Sequence, residues 1–300
     1  MRFAVPVNDA GEIPALAAAG ADELYCGYQD ARWQALYGSH DSASRRQGRA
    51  NLADPEALRA VAEGARACGL PVRLALNGRV SEGQLPELER IAALWADCGG
   101  DGIILRDPVL LSLLRARFDL HYTVSLLTVT VNADGAVFWR ELGAKRLVLP
   151  RFLRPAQIAS IAKAVPDMEY EAMVMGDRCP FVDGFCRSVH AESFLSAPPD
   201  AKPDSVRETW NTSGGAFHLC ADYCAPAPDP CAACRLGELE RAGAAVGKLG
   251  GRGTPLEQRL RWLGFLRASE ELDDPAEKQR LYRRTFHHGC SCYLDGEGGA

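Results

Sequence analysis

The sequence predicts a closed (β/α)8 barrel of the TIM type, with a cysteine-rich insertion after its seventh strand. Three observations carry this prediction. Eight short apolar runs alternate with amphipathic segments, and most are apolar at consecutive positions, as parallel strands buried on both faces require. The eight strand-then-helix units occupy about 270 residues, near the typical barrel size of about 250. The turn after the first run, VNDAGEIPA, lacks the GxGxxG that a doubly wound dinucleotide-binding sheet carries there.

The predicted strands are Phe3–Val7, Glu23–Gly27, Val72–Leu76, Gly102–Leu105, Leu120–Val124, Arg146–Leu149, Tyr170–Met175 and Ala245–Leu249. Ile13–Ala19 reads as the first helix. Tyr28–Leu52, polar and Arg-rich, reads as an insertion after strand two (residues 28–52). Asp54 and Pro55 are an N-cap and first-turn pair for ALRAVAEGARAC, which Gly69 closes. Further helices are expected at Gln84–Cys98, Pro108–Phe118, Ala136–Leu142, Pro155–Ala164 and Leu236–Ala242. Thr254, Pro255 and Glu257 have the spacing of a capping box opening LEQRLRWLGFLRAS, which reads as part of the outer helical layer. The barrel thus covers residues 1–270, interrupted a second time at 177–234. Residues 271–300 read as one more short helix and a tail, HHGCSCYLDGEGGA, whose last residues are expected to be mobile.

Of 300 residues, 34 are Lys or Arg and 39 Asp or Glu, a net charge of −5, which argues against a broad non-specific nucleic-acid surface. A local basic patch at Arg45, Arg46 and Arg49 is compatible with that balance. The 47% hydrophobic content excludes disorder. No apolar run approaches the roughly 20 residues of a membrane span. Pro6, Asp9 and Glu12 stand where a secretion signal would be apolar, so a cytoplasmic location is expected.

Eleven cysteines in a chain expected inside the cell point to a metal, since disulfides are scarce there, and six of them lie between Cys179 and Cys234. Six residues separate Cys179 from Cys186, three separate Cys220 from Cys224, and two separate Cys231 from Cys234. Four thiolates suit an iron–sulfur cluster or a tetrahedral zinc. For zinc, Cys220, Cys224, Cys231 and Cys234 form two close pairs. Cys68 and Cys98, at helix ends, read as packing residues.

AGADELYCG, ANLADPEALRAVAEGARACGLPVRLALNG, HYTVSLLTVTVN, ELGAKRLVLPR, YEAMVMGDRCPFVDGFC and VGKLGGRG, in that order from Phe3 to Arg252, resemble successive landmarks of peptidase family U32, the collagenase-like family. The most specific are ELGAKRLVLPR and the Glu-x4-Gly-x2-Cys-x6-Cys run from Glu171 to Cys186. The resemblance implies a [4Fe–4S] cluster and hydroxylation of a ubiquinone precursor, tRNA or ribosomal RNA without dioxygen. It implies Cys179, Cys186, Cys220 and Cys234 as ligands, with Cys224 and Cys231 as alternatives, and it allows a partner protein of the same family. The chain departs from the family pattern at Ser125-Leu126-Leu127, at Met175, and at Lys248-Leu249-Gly250-Gly251-Arg252, which lacks the family's carboxylate.

Glu171 in an apolar strand either handles protons with Lys248 or sits in an ion pair with Lys248 or Arg151. Asn77 reads as a substrate-binding residue or a strand-end turn former. Arg151 reads as an anion clamp or a rim salt bridge. Arg252, within GGRGT, reads as part of an anion-binding loop or of a plain turn. His287, His288, Cys290 and Cys292 form either a second metal site or an exposed tail. Three functions follow: an iron–sulfur hydroxylase acting on an anionic small molecule or RNA, a peptidase, and a zinc-stapled protein that binds peptide or RNA. No HExxH motif and no evident Ser–His or Cys–His pair supports proteolysis.

Overall fold

The computed structural model describes residues 1–38, 41–46, 48–176, 182–185, 229–289, 292 and 294. Eight parallel strands close on themselves in sequence order, the eighth pairing with the first. They are β1 (Arg2–Pro6), β2 (Glu23–Gly27), β3 (Val72–Leu76), β4 (Gly102–Leu105), β5 (His121–Val124), β6 (Arg146–Val148), β7 (Glu169–Met175) and β8 (Ala244–Leu249). The predicted strands therefore fall within a residue or so of the observed ones. Around them lie α1 (Ile13–Ala18), α2 (Ala31–Tyr37), α3 (Pro55–Ala67), α4 (Leu85–Asp97), α5 (Pro108–Arg115), α6 (Ala133–Glu141), α7 (Pro155–Ala164), α8 (Leu236–Arg241), α9 (Leu256–Glu270) and α10 (Pro275–Phe286).

Each strand alternates between an outer apolar layer and the lumen. Phe3, Val5, Leu24, Leu74, Leu76, Ile103, Leu105, Val124, Leu147 and Val174 point outward into the core beneath the helices. The intervening residues line the lumen. Helix starts are fastened by carboxylates: Asp30, Asp54 and Asp107 accept from the amides of Trp33, Ala57 and Leu110 at 2.7–2.9 Å.

Within the 28–52 insertion, Asp30 caps α2 and Trp33 is buried. Two expectations are corrected. The Thr254 capping box does not form. Pro255 stands at the cap of α9 in an extended conformation, the Thr254 amide bonds to Gly251 O at 3.0 Å, and Glu257 is exposed and paired with Arg261. The chain after α10 is docked where it is described. His288 bonds Asp229, Cys292 is buried in a backbone bridge with Cys231, and Leu294 O accepts from Arg235. The last residues of the tail and most of the 177–234 insertion lie outside the described residues.

Candidate active site at the barrel mouth

Six strands, β1, β2, β3, β6, β7 and β8, carry a charged residue in an otherwise apolar run, and these charges meet in the lumen. Glu23 on β2 and Arg146 on β6 lie on opposite sides of the barrel, yet they form a two-point ion pair, Nη1–Oε2 2.7 Å and Nη2–Oε1 2.9 Å. Only a lumen wide enough for side chains allows that contact. Arg146 Nη1 also reaches Glu171 Oε2 at 2.9 Å, and its Nε bonds Glu169. Arg73 pairs with Glu23, while Arg2 pairs with Glu23 and Glu169 at the lower opening. Lys248 Nζ donates to Glu171 Oε1 at 2.6 Å and lies 4.1 Å from the centroid of the Tyr25 ring.

Three carboxylates (Glu23, Glu169, Glu171) thus face four cations (Arg2, Arg73, Arg146, Lys248). Burial pushes the Glu171 carboxyl up, but Lys248 and Arg146 outweigh it and hold the group down at about 2. Lys248 is pulled below the ordinary lysine value, first by burial and then by Arg146 and Arg73, against Glu171. His121, at the start of β5, is lowered to about 4 by burial and by Arg73 and Arg146, and is neutral at pH 7.

The upper rim holds the remaining predicted residues. Asn77, two residues past the lumen-facing Ala75, donates from Nδ2 to Ser125 Oγ at 3.1 Å. Arg151 makes a two-point pair with Asp183, at 3.1 and 3.2 Å, so it is tied at the rim. Arg252 is buried and donates from Nη2 to Ser44 O at 2.6 Å. Gly27 has no side chain because Arg252, Asn51 and Ala50 O crowd its Cα; any Cβ there would collide with all three. The GGRGT segment is a fastened turn. The amides of Gly250, Gly253 and Thr254 bond to Met175 O, Asn8 Oδ1 and Gly251 O at 2.7–3.0 Å, leaving those three no capacity for a phosphate.

The structure brings Glu171 and Lys248 together and sets Asn77, Arg151 and Arg252 at separate points of the rim. Arg146, Glu23 and Arg73 were missed by sequence reasoning. Their signal was present: ELYCG, VRLAL, RLV and EYEAMVM each place a charge at a lumen parity position.

Cys179, Cys186, Cys220, Cys224 and Cys290 lie outside the described residues. Cys231 is buried at the mouth, paired antiparallel to Met175 at the end of β7 and parallel to Cys292. Leu294 N donates to Cys292 Sγ at 3.4 Å. Cys234 Sγ lies 3.8 Å from Pro275 O. Among the described residues, no group of three or more His, Cys, Asp or Glu is placed to hold a metal. His288, expected as a metal ligand or exposed, is engaged by Asp229 at 3.0 Å, and His287 closes α10 in the left-handed region at φ 61°.

The closed (β/α)8 barrel thus carries a charged network from its lower opening to the middle of the lumen, with Asn77, Ser125, Arg151 and Arg252 beyond the C-terminal strand ends, the face where barrels of this kind carry their sites. The sequence profile of peptidase family U32 matches residues 9–285, and the chain belongs to that family. The tRNA hydroxylation protein P of Escherichia coli (strain K12) is 35% identical over 91 residues, covering 30% of this chain and 20% of that protein. Its namesake in Helicobacter pylori (strain J99) is 31% identical over 170 residues, covering 56% of this chain and 37% of that protein. These matches therefore span little more than a third of the curated relatives at most. The solved structure of the U32 peptidase Mk0906 shares the fold, with a TM-score of 0.53 at 15% identity over 84% of this chain and 93% of that one. No helix among the described residues is long and apolar enough to cross a membrane.

Proposed function

We propose that this protein is a hydroxylase-type enzyme that modifies tRNA at the C-terminal face of the barrel, in the cytoplasm. The observation that carries the reading is the Lys248–Glu171 pair, buried at the lumen end of a rim lined with Asn77, Ser125, Arg106 and Arg151. It combines a proton donor, a fixed carboxylate and polar anchors at the place where barrels act. The U32 relatives named for tRNA hydroxylation support an RNA substrate. Phe152 and Phe185, 52% and 76% exposed on loops beside Arg151 and Asp183, are suited to stacking an unpaired base.

Cys179, Cys186, Cys220 and Cys234 would hold an iron–sulfur cluster, with Cys224 and Cys231 as the alternatives. Thiolates suit it, and Cys179 is three positions beyond Gly176, whose amide bonds Pro230 O next to Cys231. When bound, such a cluster supplies one-electron redox chemistry at the mouth. The chain's own part is to hold Glu171 ionised, deliver or take a proton at Lys248 Nζ, and position the base by Asn77.

The test is nucleoside mass analysis of tRNA from cells with and without the protein, alongside iron and sulfide content of oxygen-free material. One added oxygen at a tRNA nucleoside, lost with Lys248→Met while the iron content is retained, is the expected result. Unchanged tRNA with a colourless, zinc-loaded protein overturns both the hydroxylase and the cluster.

A further inference from the structure

We infer that Cys292, from the segment after α10, is a ligand of the iron–sulfur cluster at the barrel mouth, and that Cys231 joins it there in place of Cys234. This rests on the cluster reading above and changes its ligand set. At the end of β7, Gly176 N donates to Pro230 O at 2.9 Å and Ala232 N donates to Val174 O at 2.8 Å. Residues 230–232 therefore run antiparallel to that strand end, with Cys231 opposite Met175. Cys292 stands on the far side of Cys231 in a parallel bridge. Bridged residues carry their side chains to one face, on backbones about 4.8 Å apart. Two thiols from distant parts of the chain are thus side by side at the mouth.

Both are buried, with exposures of 1% for Cys231 and 8% for Cys292. The chain is fastened on either side of Cys292. His288 is held by Asp229 at 3.0 Å, and Leu294 O accepts from Arg235 at 3.4 Å. Leu294 N also donates to Cys292 Sγ at 3.4 Å, which fixes the direction of that side chain. Thiolates are soft ligands, and two of them on one face are half of the set that a four-cysteine cluster takes. Cys292 lies beyond residues 9–285, the stretch that matches the family profile, so this ligand is a feature of this chain.

Cys234 belongs to a different place. Residues 229–234 run back along α10, since Asp229 O accepts from Tyr282 OH at 2.7 Å and Cys234 Sγ meets Pro275 O at 3.8 Å. Tyr282 is seven positions, about 10 Å, beyond Pro275 on that helix. Cys234 is therefore directed to the first turn of α10, whereas Cys292 follows its last. Among the described residues, Cys234 does not converge with Cys231 and Cys292 on a common point.

The experiment measures iron and sulfide in the oxygen-free full chain, with electron paramagnetic resonance after dithionite reduction. Wild type is compared with C292A, C292S, C231A and C234A. C292A and C231A should lose most of the iron and sulfide, and C234A should keep the wild-type content. C292S, whose hydroxyl replaces one sulfur, should keep a cluster with shifted g values, a change that lost packing would not produce. Iodoacetamide mapping of the wild type requires no variant to fold. Cys292 should be alkylated several-fold more after a chelator has removed the iron than before. Wild-type iron content in C292A, an unaltered spectrum in C292S, or equal alkylation of Cys292 with and without iron overturns this ligand and leaves the cluster reading intact. Iron lost from C234A and kept by C231A overturns the choice of Cys231. A wild-type protein without iron and sulfide overturns the cluster reading and the ligand together.

Discussion

Arg146 donates to three carboxylates from the floor of the lumen, and each of them also has a second cation: Arg73 and Arg2 for Glu23, Arg2 for Glu169 and Lys248 for Glu171. Losing Arg146 leaves every carboxylate one cation but removes charge-assisted hydrogen bonds, each contributing about 1.5–3 kcal/mol. Arg146→Met should therefore lower the urea midpoint of unfolding by an amount equivalent to about 1.5–3 kcal/mol. Replacing Glu23 and Arg146 together by Leu and Met should cost less than the sum of the two single changes. A single Arg146→Met chain as stable as wild type would show that these hydrogen bonds contribute no such stability. The roles of Glu171 and Lys248 were half legible. A carboxylate within YEAMVM announces a partner or a pocket, and the pairing with Lys248 was one of the two partners foreseen; Arg151, the other, went to Asp183. Arg146 took the remaining oxygen from the neighbouring strand β6, a contact between positions 25 apart in sequence.

At the level of elements, strand positions were legible because both faces of each strand are buried, which leaves short runs that are apolar apart from the charges turned into the lumen. Helix ends were legible wherever a short carboxylate precedes Pro, as at Asp54 and Asp107. They were misread at Thr254, where the preceding turn takes the hydrogen bonds a cap would use. The segment after α10 depends on one residue. Asp229, itself at φ 45°, accepts from Trp262 Nε1 at 2.5 Å, Gln258 Nε2 at 3.2 Å and His288, while its carbonyl takes Tyr282 OH at 2.7 Å. Asp229→Ala removes three side-chain bonds that join α9, α10 and the residues following them. Trypsin should then cleave at Arg283 or Arg284 several-fold faster than in wild type, with a change in Trp262 fluorescence. Equal cleavage rates would mean that the aromatic packing of Phe265, Tyr282 and Phe286 alone holds α10 in place.

For the molecule as a whole, acid should weaken the fold in two successive ranges. His121 has a folded value of about 4 against an ordinary 6.5, so between these limits the unfolded chain binds the extra proton and stability rises with pH. Glu171, held at about 2, adds stability that is present above its ordinary value of 4.5 and is lost as pH falls toward 2. Denaturant midpoints measured from pH 7 to 3 should decline first through the histidine range and then more steeply. His121→Gln should flatten only the first decline, and an unaltered profile in that variant would assign the decline to other groups.

Barrel class and strand order were decided by the sequence itself. Burial on both faces and capping are local rules that leave a periodic trace in the chain. Which charges meet was decided only by closure of the sheet. Closure brings β2 opposite β6 and folds the 41–46 loop over the end of β3, and no spacing along the chain encodes a distance across a lumen. The same holds for Cys292, whose place beside Cys231 arises because α10 packs against α9 and returns the following residues to the end of β7.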